Sequence, residues 1–326
     1  MATQDLYKSD TAGPMQRDSP GILTLKIKSL FTDLLDTRSA DQRTLCMTNS
    51  VVQDRIGAAH AWICAHLLAE SQRIARFLDR RIALLIASWA ALVMLGGGFK
   101  ILHLVTVHPN AATFTTIFPL IAPYGLIALA PVAGYALVVR CFANGTIAAQ
   151  PRLRIAQVGR WNSVSPAEAR QRQDFGMSGL LVSLVAGLLI SMILRLGEYM
   201  LAMPAVPRAA PAWALAMFDA MTFDLIYLSF LYSVCIAMAL RAAPLFPRML
   251  AYTWLCDVLM QVAIAQHIMS AGGLPSDVAG PIQAFLIANV KKVLISVVIW
   301  LPYLLISSRV NVTFRQRVRR GDALTA

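Results

Sequence analysis

Charge is what this sequence has least of. Of its 326 residues only 14% are Asp, Glu, Lys or Arg, against about 25% in ordinary soluble domains, while 57% are hydrophobic. A solvated globule is excluded by that balance, and apolar runs near 20 residues long read as a polytopic membrane protein. The polar start, MATQDLYKSDTAGPMQRDSP, lacks the apolar core of a signal peptide, so the first membrane span is expected to act as the targeting signal. Cys46, Cys64, Cys141, Cys235 and Cys256 form no CxxC pair or other metal-ligand spacing, which argues against both a disulfide framework and a zinc site.

Catalytic signatures are missing as well. There is no GxSxG elbow, HExxH, GxGxxG or phosphate loop, and LGGGFK at 95–100 lacks the Lys-Ser/Thr that would follow the glycines of such a loop. His103 and His108 are five apart and His60 and His66 six apart, so neither pair shares a helix face as metal ligands would. No catalytic, cofactor or metal residue is assigned, and the chain reads as a non-enzyme. The net charge of +12 brings no basic run interleaved with aromatics outside the membrane flanks, so nucleic acid is not an expected partner.

What is present is a set of six apolar runs bounded by charge: Ile82 to Val107, Phe114 to Val139, Met177 to Leu194, Trp213 to Leu240, Met249 to Ala271 and about Val290 to Ser307. Each can cross about 30 Å of hydrocarbon at about 1.5 Å per residue. Pro119, Pro123 and Pro131 in the second are expected to kink it, with neighbouring helices re-satisfying the freed carbonyls. Lysine and arginine sort by side. The N-terminal segment, the loop from Arg140 to Arg172, the turn RAAPLFPR and the C-terminal tail hold 24 of the 29, which places both termini in the cytoplasm. The Asn-x-Thr matches at Asn144 and Asn311 then lie on the cytoplasmic side and carry no glycosylation signal.

The domain reading is a cytoplasmic helical region over 1–79, two spans over 80–142, a basic loop over 143–175, a four-helix unit over 176–318 and a tail over 319–326. In the first, Ile27, Leu30, Phe31, Leu34 and Leu35 repeat on one helical face, suited to packing on a second apolar helix near 63–82 or, with Lys26 and Lys28, to lying on the bilayer. In the loop, Ser165, Pro166 and Glu168 make a capping box that starts a short helix, and Arg170 and Arg172 on it face solvent or lipid head groups.

Ionisable residues inside a bilayer cost about 2.5–3.5 kcal/mol each at mid-helix, so each is a candidate for function. Depth counting from the cytoplasmic boundaries puts Arg195, Asp224, His267, Lys291 and Lys292 in one band toward the outer leaflet, with Lys100 a little beyond. These either snorkel to the interface or form a cluster in which Asp224 pairs with Lys291, Lys292 or Arg195. Asp257 counts as much deeper, about 12 Å above the cytoplasmic edge. It is expected to face the bundle interior, protonated or bonded to Gln261 four residues on, a hydroxyl or water, as an interhelical tie or as part of a proton or cation relay. In span three Gly179, Ser183, Gly187 and Ser191 recur every four residues, a small-residue face suited to another helix of this chain, a second copy or a different membrane protein.

The last span closes as IWLPYLLISSRVNVTFRQR. Trp300 and Tyr303 fall mid-span, and Pro302 leaves the carbonyl of Val298 without its usual donor. The three are therefore expected to make a kinked packing point against spans three to five, while Arg309, Arg315 and Arg317 fix the cytoplasmic end. The order of features from Phe175 to Arg317, with LFPRM in a short turn and Trp300, Pro302, Tyr303, Ser308, Arg309, Val310, Thr313 and Phe314 at the close, resembles the bacterial inner-membrane family catalogued as domain of unknown function 2569. That resemblance implies a four-helix membrane unit and the bacterial inner membrane, and it implies no chemistry.

Taken together, the residues point to an all-α, multi-pass membrane bundle with its termini in the cytoplasm. Two functions fit. One is an accessory protein whose polar residues hold helices together and whose cytoplasmic segments bind a partner or lipid. The other is a small transporter or ion-conducting protein using Asp257, Gln261, Asp224, Arg195, Lys291 and Lys292.

Overall fold

A computed structural model of the chain describes residues 62, 65, 66, 68–107, 114–142, 150, 151, 158–207, 210–271 and 273–320. Two compact units divide it, Met1–His66 and Leu67–Ala326. The described residues of the first are helical, with the Trp62 and His66 rings stacked at 5.4 Å. The expected helix at Ile27 to Leu35, Cys46, Cys64, His60 and Asn144 lie outside the described residues.

The second unit is an all-α, multi-pass membrane bundle. Its six long apolar helices are α1 (Leu68–Val107), α2 (Phe114–Cys141), α4 (Leu180–Ala202), α5 (Ala212–Leu240), α6 (Phe246–Ser270) and α7 (Ser276–Ile306). Short α3 (Pro166–Gln171) and α8 (Ser308–Arg315) and the strands β1 (Trp161–Ser163) and β2 (Arg317–Arg319) complete it. All six expected spans are present, but their ends move. Span one is the last two thirds of a 40-residue helix, about 60 Å long at 1.5 Å per residue, twice the hydrocarbon thickness. The boundary expected after residue 79 therefore falls inside α1. Its first turns carry Glu70, Arg73, Arg76, Asp79, Arg80 and Arg81, a composition suited to water and head groups.

α5 is the most buried helix and α1 and α7 the least. Apolar side chains explain both positions. α5 presents Leu225, Leu228, Leu231 and Ile236 to neighbours and is apolar all round, whereas Leu84, Leu92, Leu95 and Phe99 on α1 and Leu294, Ile295, Val298 and Ile299 on α7 are exposed, as lipid-facing residues are. α2 and α5 meet where Gly134 lets the carbonyl of Phe230 come within 2.7 Å of where a Cβ would stand. Gly97, in the glycine cluster of α1, makes room for the ring of Tyr124 in the same way, at 2.6 Å.

The prolines of α2 do not break it. Pro131 deprives the carbonyl of Ile127 of its helical donor, and the indole of Trp89 on α1 supplies one, Nε1 donating to that oxygen at 3.0 Å. The Pro131 carbonyl accepts from Ser233 Oγ of α5 at 2.7 Å. At Pro131 a neighbouring helix thus satisfies the carbonyl that the proline frees, as expected.

At one end of the bundle the loop before α4 and the C-terminal segment fold on each other, an arrangement absent from the sequence reading. β1 and β2 pair antiparallel with Asn162 opposite Val318. Ala169, Val312 and Val318 form a small core beneath them, and Phe314 packs on Phe246 at the start of α6, ring centroids 4.8 Å apart. Ser165 caps α3 as expected, the Glu168 N–H donating to its Oγ at 3.2 Å.

Candidate functional site

Arg195 is the centre of the buried polar chemistry. It sits on α4, and its guanidinium donates from Nη1 to Asp224 Oδ2 on α5 at 2.9 Å and from Nη2 to both oxygens of Asp257 on α6, at 2.9 and 2.7 Å. The side chain of Asp257 is 0% exposed, that of Asp224 4% and that of Arg195 15%. Tyr232 on α5 donates to Asp257 Oδ2 at 2.8 Å, and Gln261 on α6 donates to Asp224 Oδ1 at 3.1 Å.

The network continues to α7. Asn289 donates to Gln261 Oε1 and Lys292 donates to Asn289 Oδ1, each at 3.4 Å, and Lys292 pairs with Glu198, which returns the chain of contacts to α4. Every helix supplies two groups spaced to share a face: Arg195 and Glu198, Asp224 and Tyr232, Asp257 and Gln261, Asn289 and Lys292. The result is a ring of polar contacts closing α4, α5, α6 and α7. With two carboxylates around one guanidinium, the buried triad carries one net negative charge when all three are ionised.

This geometry corrects the depth count. Asp257 joins Arg195, Asp224 and, through Gln261 and Asn289, Lys292 of the expected outer band in one cluster, while Lys291, His267 and Lys100 stand outside it. Arg195 lies 15 residues beyond the start of α4 and Asp257 11 beyond that of α6, an offset of four residues or about 6 Å of helix rise. An arginine side chain leans toward its helix N-terminus and spans that gap. Of the expected partners of Asp224 it is Arg195 and neither lysine that pairs with it, and of those expected for Asp257 it is a hydroxyl, that of Tyr232, while Gln261 serves Asp224. Lys292, with its side chain 58% exposed, pairs with Glu198, and Lys291 is exposed on α7.

A second cluster lies nearer the opposite end from α8. Lys100 on α1 donates to the carbonyl of Met203 and stands 5.6 Å from the ring centre of Tyr199, whose hydroxyl bonds Thr222 Oγ1 at 2.7 Å. Tyr124 is buried beside Gly97. His267 lies on α6 in its last turn.

Among the described residues the middle of the small-residue face of α4 meets no other helix, and only Gly179 at its start touches α1. Ser183 and Gly187 are exposed, no atom lies within 4 Å of a Cβ placed on Gly187, and Ser191 is half-buried. Gly179 precedes the helix at φ 61, ψ −138, a region that an L side chain avoids, and its N–H donates to Ser71 Oγ of α1 at 2.8 Å.

The closing motif is a folded cap and not a free charged stop. Trp300 and Tyr303 meet edge to face at 5.9 Å and pack, partly buried, against the main apolar core, on a helix, α7, whose chief neighbours are α6 and α8. α7 ends at Ile306, and Asn311 bridges the break by donating to the carbonyls of Leu305 and Ser307 at 3.2 and 2.9 Å. From α8, which Ser308 opens, Arg309 bonds Ser178 and reaches Asp174 at 3.7 Å. Thr313 Oγ1 accepts from the Gly176 N–H at 3.0 Å, and Val310 and Phe314 are fully buried.

Sequence reasoning missed Glu198, Tyr232 and Asn289. Glu198 was legible as an acid one turn beyond Arg195, but span three was expected to stop at Leu194 and Glu198 fell outside it. Among the described residues no group of His, Cys, Asp and Glu has the arrangement of a metal site, and Cys141, Cys235 and Cys256 are free thiols. Comparison of the chain with protein-family models, with curated proteins and with solved structures finds no match.

Proposed function

We infer that this chain is an accessory protein of the bacterial inner membrane, with both termini in the cytoplasm, whose buried charges hold its own helices in one arrangement. The observation that carries the reading is the enclosure of Asp257: both of its oxygens are taken by Arg195 and Tyr232, and it has no exposed surface. A carboxylate so held ties α4 to α6 and presents nothing to a substrate. Membership of the family catalogued as domain of unknown function 2569 rests on the closing motif, in which Val310, Thr313 and Phe314 are buried in the cap.

One observation favours proton or cation conduction as a second reading. The Gln261, Asn289 and Lys292 contacts continue the triad to a half-exposed pair, and the triad's surplus negative charge is one that a proton or monovalent cation would neutralise. Proteoliposomes containing the full chain and a lumenal pH dye separate the two. The accessory reading expects proton leak under an imposed K⁺ diffusion potential to equal that of protein-free vesicles. A leak that Asp257→Asn abolishes in a protein of unchanged fold would establish conduction.

A further inference from the structure

α1 is tied to α4 near both ends of α4. At the α8 end, Ser71 Oγ accepts from the Gly179 N–H at 2.8 Å. At the other, Met200 Sδ stands 3.0 Å from where a Cβ of Gly96 would lie, and Lys100 donates to the Met203 carbonyl. Between these ties the two helices enclose a cavity of about 280 Å³. Residues 82–92 of α1 and 186–193 of α4 form its sides, and Pro131 of α2 and Ser233 of α5 stand at its back.

The lining decides what enters. It contains no charged side chain, and of its four side chains with an N–H or O–H group two are spent on the backbone, Trp89 on the Ile127 carbonyl and Ser233 on that of Pro131. Ser88 and Tyr135 add two hydroxyls to walls of Leu, Ile, Met and Ala. Apolar cavities stay dry, and one of about 150 Å³ takes a benzene ring, so this one has room for a length of hydrocarbon chain. It opens sideways. Leu92, Ile190 and Ile193 line it and are each more than half exposed, on helices whose exposed side chains face lipid.

Depth and charge identify the source of the chain. Tyr135 stands five residues before Arg140 on α2, and Ile236 five before Arg241 at the end of α5, about 8 Å of helix rise from the charged edge. On α1, Ile82 follows Arg81 directly. The cavity therefore begins at the depth where the acyl chains of the leaflet at the α8 end begin. Residues 85, 88 and 92 follow Arg81 at four, seven and eleven positions, so exposed Arg81 tops the face of α1 that lines the cavity. A guanidinium at the surface end of an apolar slot suits a phospholipid, with its phosphate outside and a chain within. Trp89 belongs to the wall, so a chain packed there also holds the indole on the carbonyl that Pro131 frees.

We propose that the cavity between α1 and α4 holds one acyl chain of a phospholipid from the leaflet at the α8 end, with its phosphate beside Arg81. The lipid is a wedge between the two helices and braces the repaired break in α2. It is independent of the Arg195 triad, and neither reading of that triad is needed for it.

The test is native mass spectrometry of the full chain in detergent, with phosphatidylglycerol as the probe, together with thermal unfolding of the same samples. The wild type should bind one phosphatidylglycerol at least tenfold more tightly than Ala186→Phe, whose ring takes the place of the chain. Added phosphatidylglycerol should raise the unfolding temperature of the wild type and leave that of Ala186→Phe unchanged. Ile295→Phe, on the exposed face of α7, should bind as the wild type does. Diacylglycerol with the same chains should bind the wild type about fivefold more weakly, at about 1 kcal/mol per basic residue near an anionic head group, and Arg81→Gln should abolish that difference. Phosphatidylglycerol with a diazirine midway along one acyl chain should label residues 82–92 and 186–193 in preference to α7, a readout that survives if Ala186→Phe does not fold. Equal affinity in wild type and Ala186→Phe, or labelling spread evenly over the exposed faces, would overturn the proposal. Equal binding of diacylglycerol to the wild type would overturn the assignment to a phospholipid. Dimers that displace the label would show that a second copy occupies the cavity, and would overturn it too.

Discussion

Arg195 Nη2 holds both carboxylate oxygens of Asp257, at 2.9 and 2.7 Å, across the interface of α4 and α6. Because Asp224 shares the same guanidinium, charge removal at the three positions is not equivalent. Arg195→Met strands two buried carboxylates and should cost about 3–5 kcal/mol. Asp224→Asn leaves one cation and one anion and keeps an acceptor for Gln261, so it should cost about 1 kcal/mol. Asp257→Asn, which also disturbs Tyr232, should fall between them. Thermal unfolding in detergent gives the ranking, and an Asp224→Asn variant less stable than Arg195→Met would refute the charge count.

Trp89 repairs the carbonyl that Pro131 leaves open on Ile127. Trp89→Phe keeps most of the packing and removes the donor, so stability should fall by about 1–3 kcal/mol in the same assay. In a Pro131→Ala background the helix supplies its own donor, and the Trp89→Phe penalty should shrink to the packing loss alone.

Close approach of α2 and α5 depends on Gly134. Gly134→Ala places a methyl 2.7 Å from the backbone oxygen of Phe230, which cannot swing aside, and should destabilise by about 1–3 kcal/mol. Gly98→Ala meets nothing within 4 Å and should be neutral or slightly stabilising through helix propensity.

Topology can be read with reporter fusions after residues 110, 208 and 275. The proposed arrangement, six alternating spans with 24 basic residues assigned to one side and 5 to the other, puts all three positions on the outer side. All three should report the outer side. A cytoplasmic report from any one of them would contradict the arrangement.

Helix number and identity were legible because apolar run length answers directly to bilayer thickness, and α3 because Ser165, Pro166 and Glu168 act locally. Asp257 was legible as a buried, interior-facing acid for the same reason: cost of burial depends on depth along its own helix. Its partner was not. Which groups meet depends on helix offset and on the reach of Arg195, and neither is written in one helix's sequence. Pairing of β1 with β2 was hidden for a related reason. WNS and RVR are three-residue strands with no periodicity to read, and their stability comes from Ala169, Val312 and Val318 brought together over more than 140 positions.

The structural role of the triad is tested most directly by a double-mutant cycle on Arg195 and Asp257, measured as unfolding free energy in detergent. Arg195→Met alone leaves a net charge of −2, Asp257→Leu alone leaves zero, and the double variant restores the −1 of the wild type around Asp224. The two losses should then fail to add, with a coupling of about 2 kcal/mol or more, the double variant being less damaged than the sum. Additive losses within about 0.5 kcal/mol would mean that Arg195 and Asp257 do not hold α4 and α6 together.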